Sequence, residues 1–144
     1  MDYFVVNEFE AQQVTGVALR DGDGALIGAN MTEALEALRA MGVREWAVIH
    51  CPEGGFGLDA AGRFVKRSSL ALPEGYIRGT VGAGDAFCAG VLLAAERGED
   101  LAAAIDLGNA AAAATLGAAD ATEGMGTRAE VMALYDRFPR RQQA

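Results

Sequence analysis

Short apolar runs of strand type alternate with amphipathic stretches of helix type along this chain, and that alternation most constrains its fold. Tyr3-Phe4-Val5-Val6 and Trp46-Ala47-Val48-Ile49 are β-prone and continuously apolar, as buried strands are. Between them, Asn7-Glu8-Phe9-Glu10 opens a helical stretch that stops at Gly16, and Asp21-Gly22-Asp23-Gly24 is turn chemistry. A second helix follows, with Leu35, Leu38 and Met41 as its apolar stripe and Gly42 as its stop. Asn30 and Glu33 precede that stripe at capping-box-like spacing. Phe56-Gly57-Leu58 and Arg63-Phe64-Val65 alternate about a turn at 59–62, which predicts a hairpin over 54–67. A further short strand is expected to end near Ile77. Three helices close the sequence, at about 83–97, 101–118 (Asp100 as N-cap) and 128–137. Strands separated by helices predict an α/β layered sheet of four or five strands, in one domain over 1–144. Such a sheet has an open edge, and an N-terminal half or a second copy would cover it.

Composition narrows the function classes. With 51% hydrophobic and 22% charged residues the 144-residue chain suits a globular domain rather than a disordered one. A net charge of −8 argues against nucleic acid, which demands clustered cations. It leaves room for a small phosphorylated ligand, because a few backbone N–H groups can hold a phosphate in an acidic protein. No run approaches the roughly 20 apolar residues of a membrane span. Met1-Asp2-Tyr3-Phe4 lacks the basic start of a secretory signal, so the cytoplasm is expected. Cys51 and Cys88 form no CxxC pair and read as reduced thiols; the single histidine, His50, gives a His-based metal site or triad little to work with.

The chemistry concentrates in Gly79-Thr80-Val81-Gly82-Ala83-Gly84-Asp85-Ala86-Phe87. Small residues at 82–84 let a backbone approach a ligand closely, and the helix that begins there aims its N–H groups and dipole at the same spot. An aspartate inside an anion site is odd unless it works, and a carboxylate beside a bound phosphate suits a base that takes a proton from an attacking hydroxyl. A dinucleotide fingerprint fails because position 87 is Phe, and a P-loop fails because the only lysine is Lys66. Taken alone, Gly82-Ala83-Gly84 reads as a tight strand-to-helix turn with Asp85 near the N-cap, and Asn7 with Glu10 as a helix cap with an exposed carboxylate.

The string from Thr80 to Phe87, followed by Ala89-Gly90, resembles the second signature of the PfkB/ribokinase family of carbohydrate kinases. Asn7-Glu8-Phe9-Glu10 looks like that family's N-x-x-E motif, and Asn109 sits where its helix lines the adenine pocket. The resemblance implies a three-layer ribokinase-like fold, C-terminal portion only, and a phosphotransferase that uses ATP and Mg²⁺ on a sugar-like acceptor. Asp85 would be the general base, with the backbone of Gly82, Ala83 and Gly84 as anion hole. Thr80, Gly55 and Asn109 would contact nucleotide, and Asn7 and Glu10 would organise Mg²⁺. A nucleotide-binding module without turnover of its own is the alternative.

The string also departs from the family pattern. Gly79 stands where the family has an aspartate that takes part in an activating potassium site. The family's nucleotide-touching T-x-G reads His50-Cys51-Pro52, and its acceptor-binding half has no counterpart here. Arg137, Arg140 and Arg141 read as a frayed tail.

Overall fold

A computed structural model of the protein describes residues 1–118 and 126–142. Four strands, β1 (Tyr3–Asn7), β2 (Trp46–Cys51), β3 (Gly54–Leu58) and β4 (Phe64–Ser68), form one sheet in chain order. β1 and β2 run parallel, with Asn7 beside His50; β2, β3 and β4 are antiparallel. The parallel pair is joined through α1 (Glu8–Thr15) and α2 (Met31–Ala40), as a parallel crossover requires. Helices α3 (Ala83–Glu96) and α4 (Leu101–Leu116) follow, then the short α5 (Arg128–Met132) and α6 (Leu134–Arg137).

Alternation along β2 divides the core into two layers. Ala47 and Ile49 join Phe56 and Leu58 of β3 against α1 and α2, where Ala34, Leu35 and Leu38 are buried. Trp46 and Val48 face the other way, against Phe87, Val91, Leu101 and Ile105 of α3 and α4. On that second face β3 presents only Gly55 and Gly57. A Cβ at Gly55 would lie 2.4 Å from Ile105 Cγ2, and one at Gly57 would lie 2.8 Å from Leu101 Cδ2. The two glycines therefore let α4 lie directly on the sheet backbone. Helix α3 meets α4 in the same manner, a Cβ at Gly90 falling 3.0 Å from Gly108 Cα.

Several expectations are corrected. Asn30 does not cap α2 with its side chain; its Nδ2 donates to Ala18 O at 2.9 Å instead. Met41 lies beyond the last turn of α2 and is 59% exposed, outside the apolar stripe. No strand forms near Ile77. Leu70, beyond the end of β4, makes an isolated antiparallel bridge with Arg140, and the segment that follows crosses the end of α4, where Arg78 N donates to Leu116 O at 2.8 Å. The last helix is broken at Ala133 into α5 and α6. The C-terminal tail is docked rather than frayed: Ala71 N donates to Pro139 O, and Arg141 N to Ser69 O, each at 2.7 Å. Asp106 holds it there by pairing with both Arg67 and Arg140. Both cysteines are free thiols, and burial pushes the Cys51 thiol up to about 12, so neither poses as a nucleophile. Among the described residues no helix is long and apolar enough to cross a membrane.

Candidate active site

The carboxyl ends of the parallel strands β1 and β2 meet the N-terminus of α3, the place where open α/β sheets hold ligands. Gly82 caps α3 in the left-handed region at φ 84°, a conformation that disfavours other residues. No side chain caps this helix; Ala83 N makes only a long bond of 3.5 Å to Thr80 O, and the first-turn N–H groups of Gly84 and Asp85 have no partner among the described residues. A cleft of about 920 Å³ opens beside it. Its walls include Asn7 and His50 from the strand ends, Thr80, Ala83 and Gly84 from the turn, and Asn109 from α4.

Asp85 stands exposed in the first turn of α3, with no hydrogen bond or ion pair to a described residue. Its carboxylate is therefore not spent on structure. Asn7 and Glu10 are spent in part. They form a reciprocal capping box, Asn7 Oδ1 accepting from Glu10 N at 2.8 Å and Glu10 Oε2 from Asn7 N at 2.9 Å. Asn109 is buried, and its Nδ2 donates to Arg67 O and Ser68 O at 3.2 and 3.3 Å, so it ties α4 to β4 while it lines the cleft. Gly55 does not line the cleft. It lies under Ile105 and Phe87, where its lack of a side chain serves packing.

Two features escaped the sequence reading. His50 is wedged between the turn and the core: its ring is 4.7 Å from that of Phe87, and its Cε1 is 3.2 Å from a Cβ position at Gly84. Burial lowers its pKa against the opposing pull of Glu8, Glu10 and Asp85, so the imidazole is neutral near pH 7. Arg20 joins Glu8 at 2.8 Å and Glu53 at 2.5 Å in a largely buried triad that fastens the start of α1 to the β2–β3 turn. A lone arginine in a loop carries no local signal of such a role.

The residues admit a magnesium ion only loosely. Among the described residues no three His, Cys, Asp or Glu side chains converge on a metal position. Glu10 is an exposed hard-oxygen carboxylate with one oxygen engaged in the cap, which suits an ion held chiefly by water and ligand phosphates.

The family model of the pfkB family carbohydrate kinases matches residues 1–128. The chain belongs to this family. Solved structures share the fold. Adenosine kinase from Sinorhizobium meliloti superposes at TM-score 0.69 with 24% identity, over 95% of this chain and 36% of that one. Arabidopsis thaliana ribokinase, solved with ribose and ATP, gives TM-score 0.75 and 21% identity over 93% of this chain and 40% of its own. Thermotoga maritima ribokinase gives 0.71 and 22%, over 94% and 42%. The chain thus spans well under half the length of these structures. No curated protein sequence matches it.

Proposed function

We propose that the protein is the nucleotide-binding and phosphoryl-transfer portion of an ATP-dependent kinase whose acceptor is the hydroxyl of a sugar or related small molecule. The observation that carries this reading is Asp85, an unengaged carboxylate in the first turn of a helix that has no side-chain cap and whose Ala83, Gly84 and Phe87 line a large cleft. Asp85 accepts the proton of the acceptor hydroxyl as its oxygen attacks the γ-phosphorus, and the bond to the β,γ-bridging oxygen breaks to release ADP. The N–H groups of the Gly82–Asp85 turn stabilise charge on the transferring phosphoryl oxygens. Thr80 and Asn109 border the nucleotide, and Asn7 and Glu10 would hold Mg²⁺ through water. When bound, that ion supplies neutralisation of phosphate charge.

Calorimetry with Mg·ATP tests the reading. Micromolar binding that persists in Asp85→Ala and disappears in Gly84→Val is expected, together with a loss of phosphoryl transfer in Asp85→Ala of at least about 10²-fold. Absence of binding in the parent chain would sink it. A second reading, a nucleotide-binding module without turnover, draws on the short span relative to the solved kinases. It predicts ATP binding without transfer to any sugar.

A further inference from the structure

The docked tail delivers one arginine to the cleft. Residues 139–141 lie antiparallel to 69–71, held by the two backbone bonds at 2.7 Å. Neighbouring side chains of an extended segment point to opposite sides. Arg140 turns toward α4, where its Nη1 is 2.8 Å from Asp106 Oδ1 and its guanidinium stacks 4.5 Å from the Tyr135 ring. Arg141 turns the other way and lines the cleft, its Nη1 donating to Pro52 O at 3.0 Å.

Arg141 is the one Lys or Arg among the described residues that lines this cleft. Arg20, Arg67, Arg128 and Arg140 each pair with a carboxylate, whereas Arg141 pairs with none among the described residues. A guanidinium carries five donors and stays charged at any working pH, so the contact with Pro52 leaves most of its fork for a ligand. In a protein of net charge −8 this is the local cation that a polyanion in the cleft would meet. We infer that Arg141 is a ligand-binding residue whose guanidinium pairs with a phosphate of an anion held in the cleft, presented there by the Arg140–Asp106 clamp. Only the identity of that anion as ATP rests on the kinase reading.

Calorimetry of the whole chain with Mg·ATP and, separately, with inorganic tripolyphosphate decides the matter, using the parent, Arg141→Gln and Arg141→Lys. Loss of a charge-assisted contact should weaken binding at least about tenfold in Arg141→Gln, with partial recovery in Arg141→Lys and an unchanged thermal midpoint. ATP binding unaffected by Arg141→Gln overturns the inference and leaves the kinase reading standing. Tripolyphosphate binding that depends on Arg141, without ATP binding, upholds the inference and removes the kinase reading. No binding of either ligand to the parent overturns both.

Discussion

Gly84 and His50 touch across the join of two structural layers: a Cβ at Gly84 would stand 3.2 Å from His50 Cε1. The helix turn proposed to bind phosphate therefore rests on the imidazole at the end of β2. Because burial lowers the pKa of His50, the unfolded chain binds a proton there more strongly than the folded one. Stability then falls as the pH drops below about 6.5, the ordinary histidine value. Urea unfolding at pH 7 and pH 5, compared between the parent and His50→Gln, should show a smaller acid loss in the variant. As the only histidine, His50 also gives one unambiguous NMR titration, expected with a midpoint below 6.5.

Arg20 is the centre of a network rather than one half of a surface pair. Its side chain is 12% exposed and that of Glu8 only 5%. Arg20→Met leaves Glu8 buried without its cation and should lower stability by about 3 kcal/mol in urea unfolding. The arginine also holds the Glu53 carboxyl below its usual range. That contribution is present at neutral pH and lost as the pH falls through the carboxylate range, so the variant should lose less stability on acidification than the parent.

The glycines of β3 are packing residues and should behave as such. Gly55→Ala drives a methyl into Ile105 and is expected to cost about 1–3 kcal/mol through overpacking. Ile105→Ala in the same chain should recover part of that, because the two residues share one space. Gly28→Ala, with nothing within 4 Å, should stay within about 0.5 kcal/mol of the parent by the same measurement.

Thr115 Oγ1 is buried without a hydrogen-bond partner among the described residues. Thr115→Val removes the unsatisfied hydroxyl at nearly constant shape, so it should leave the thermal midpoint unchanged or raise it by a few degrees.

How far the sequence disclosed this arrangement depended on whether the cause was local. The strands at 3–6 and 46–49, the helix begun by Asp100, and the Gly82–Asp85 turn carry their reasons within a few residues, and they stand where the pattern put them. Asn30 shows the limit: its spacing to Glu33 suits a cap, yet the carbonyl of Ala18 took the side chain. Gly55 shows it again, since a glycine that suits a nucleotide loop is equally demanded by Ile105 lying 50 positions away. The tail from Phe138 looked loose because its partners, Ser69, Ala71 and Asp106, are remote in the chain. At the site, the composition of the turn was readable, while the wedge of His50 and the Arg20 triad arise only from tertiary approach.

The order of the sheet, each strand beside its neighbour in the chain, has a consequence for synthesis on the ribosome. By the time Ser68 has emerged, strands β1 to β4 and helices α1 and α2 have been synthesised, while α3 and α4 have yet to appear. One face of the nascent sheet then waits uncovered. Gly55 and Gly57 keep β3 bare of side chains on that face, so the half-made product shows solvent less adhesive surface than a strand of valines would. The glycines that admit α4 at the end thus also lessen the apolar side-chain surface that β3 offers before α4 arrives.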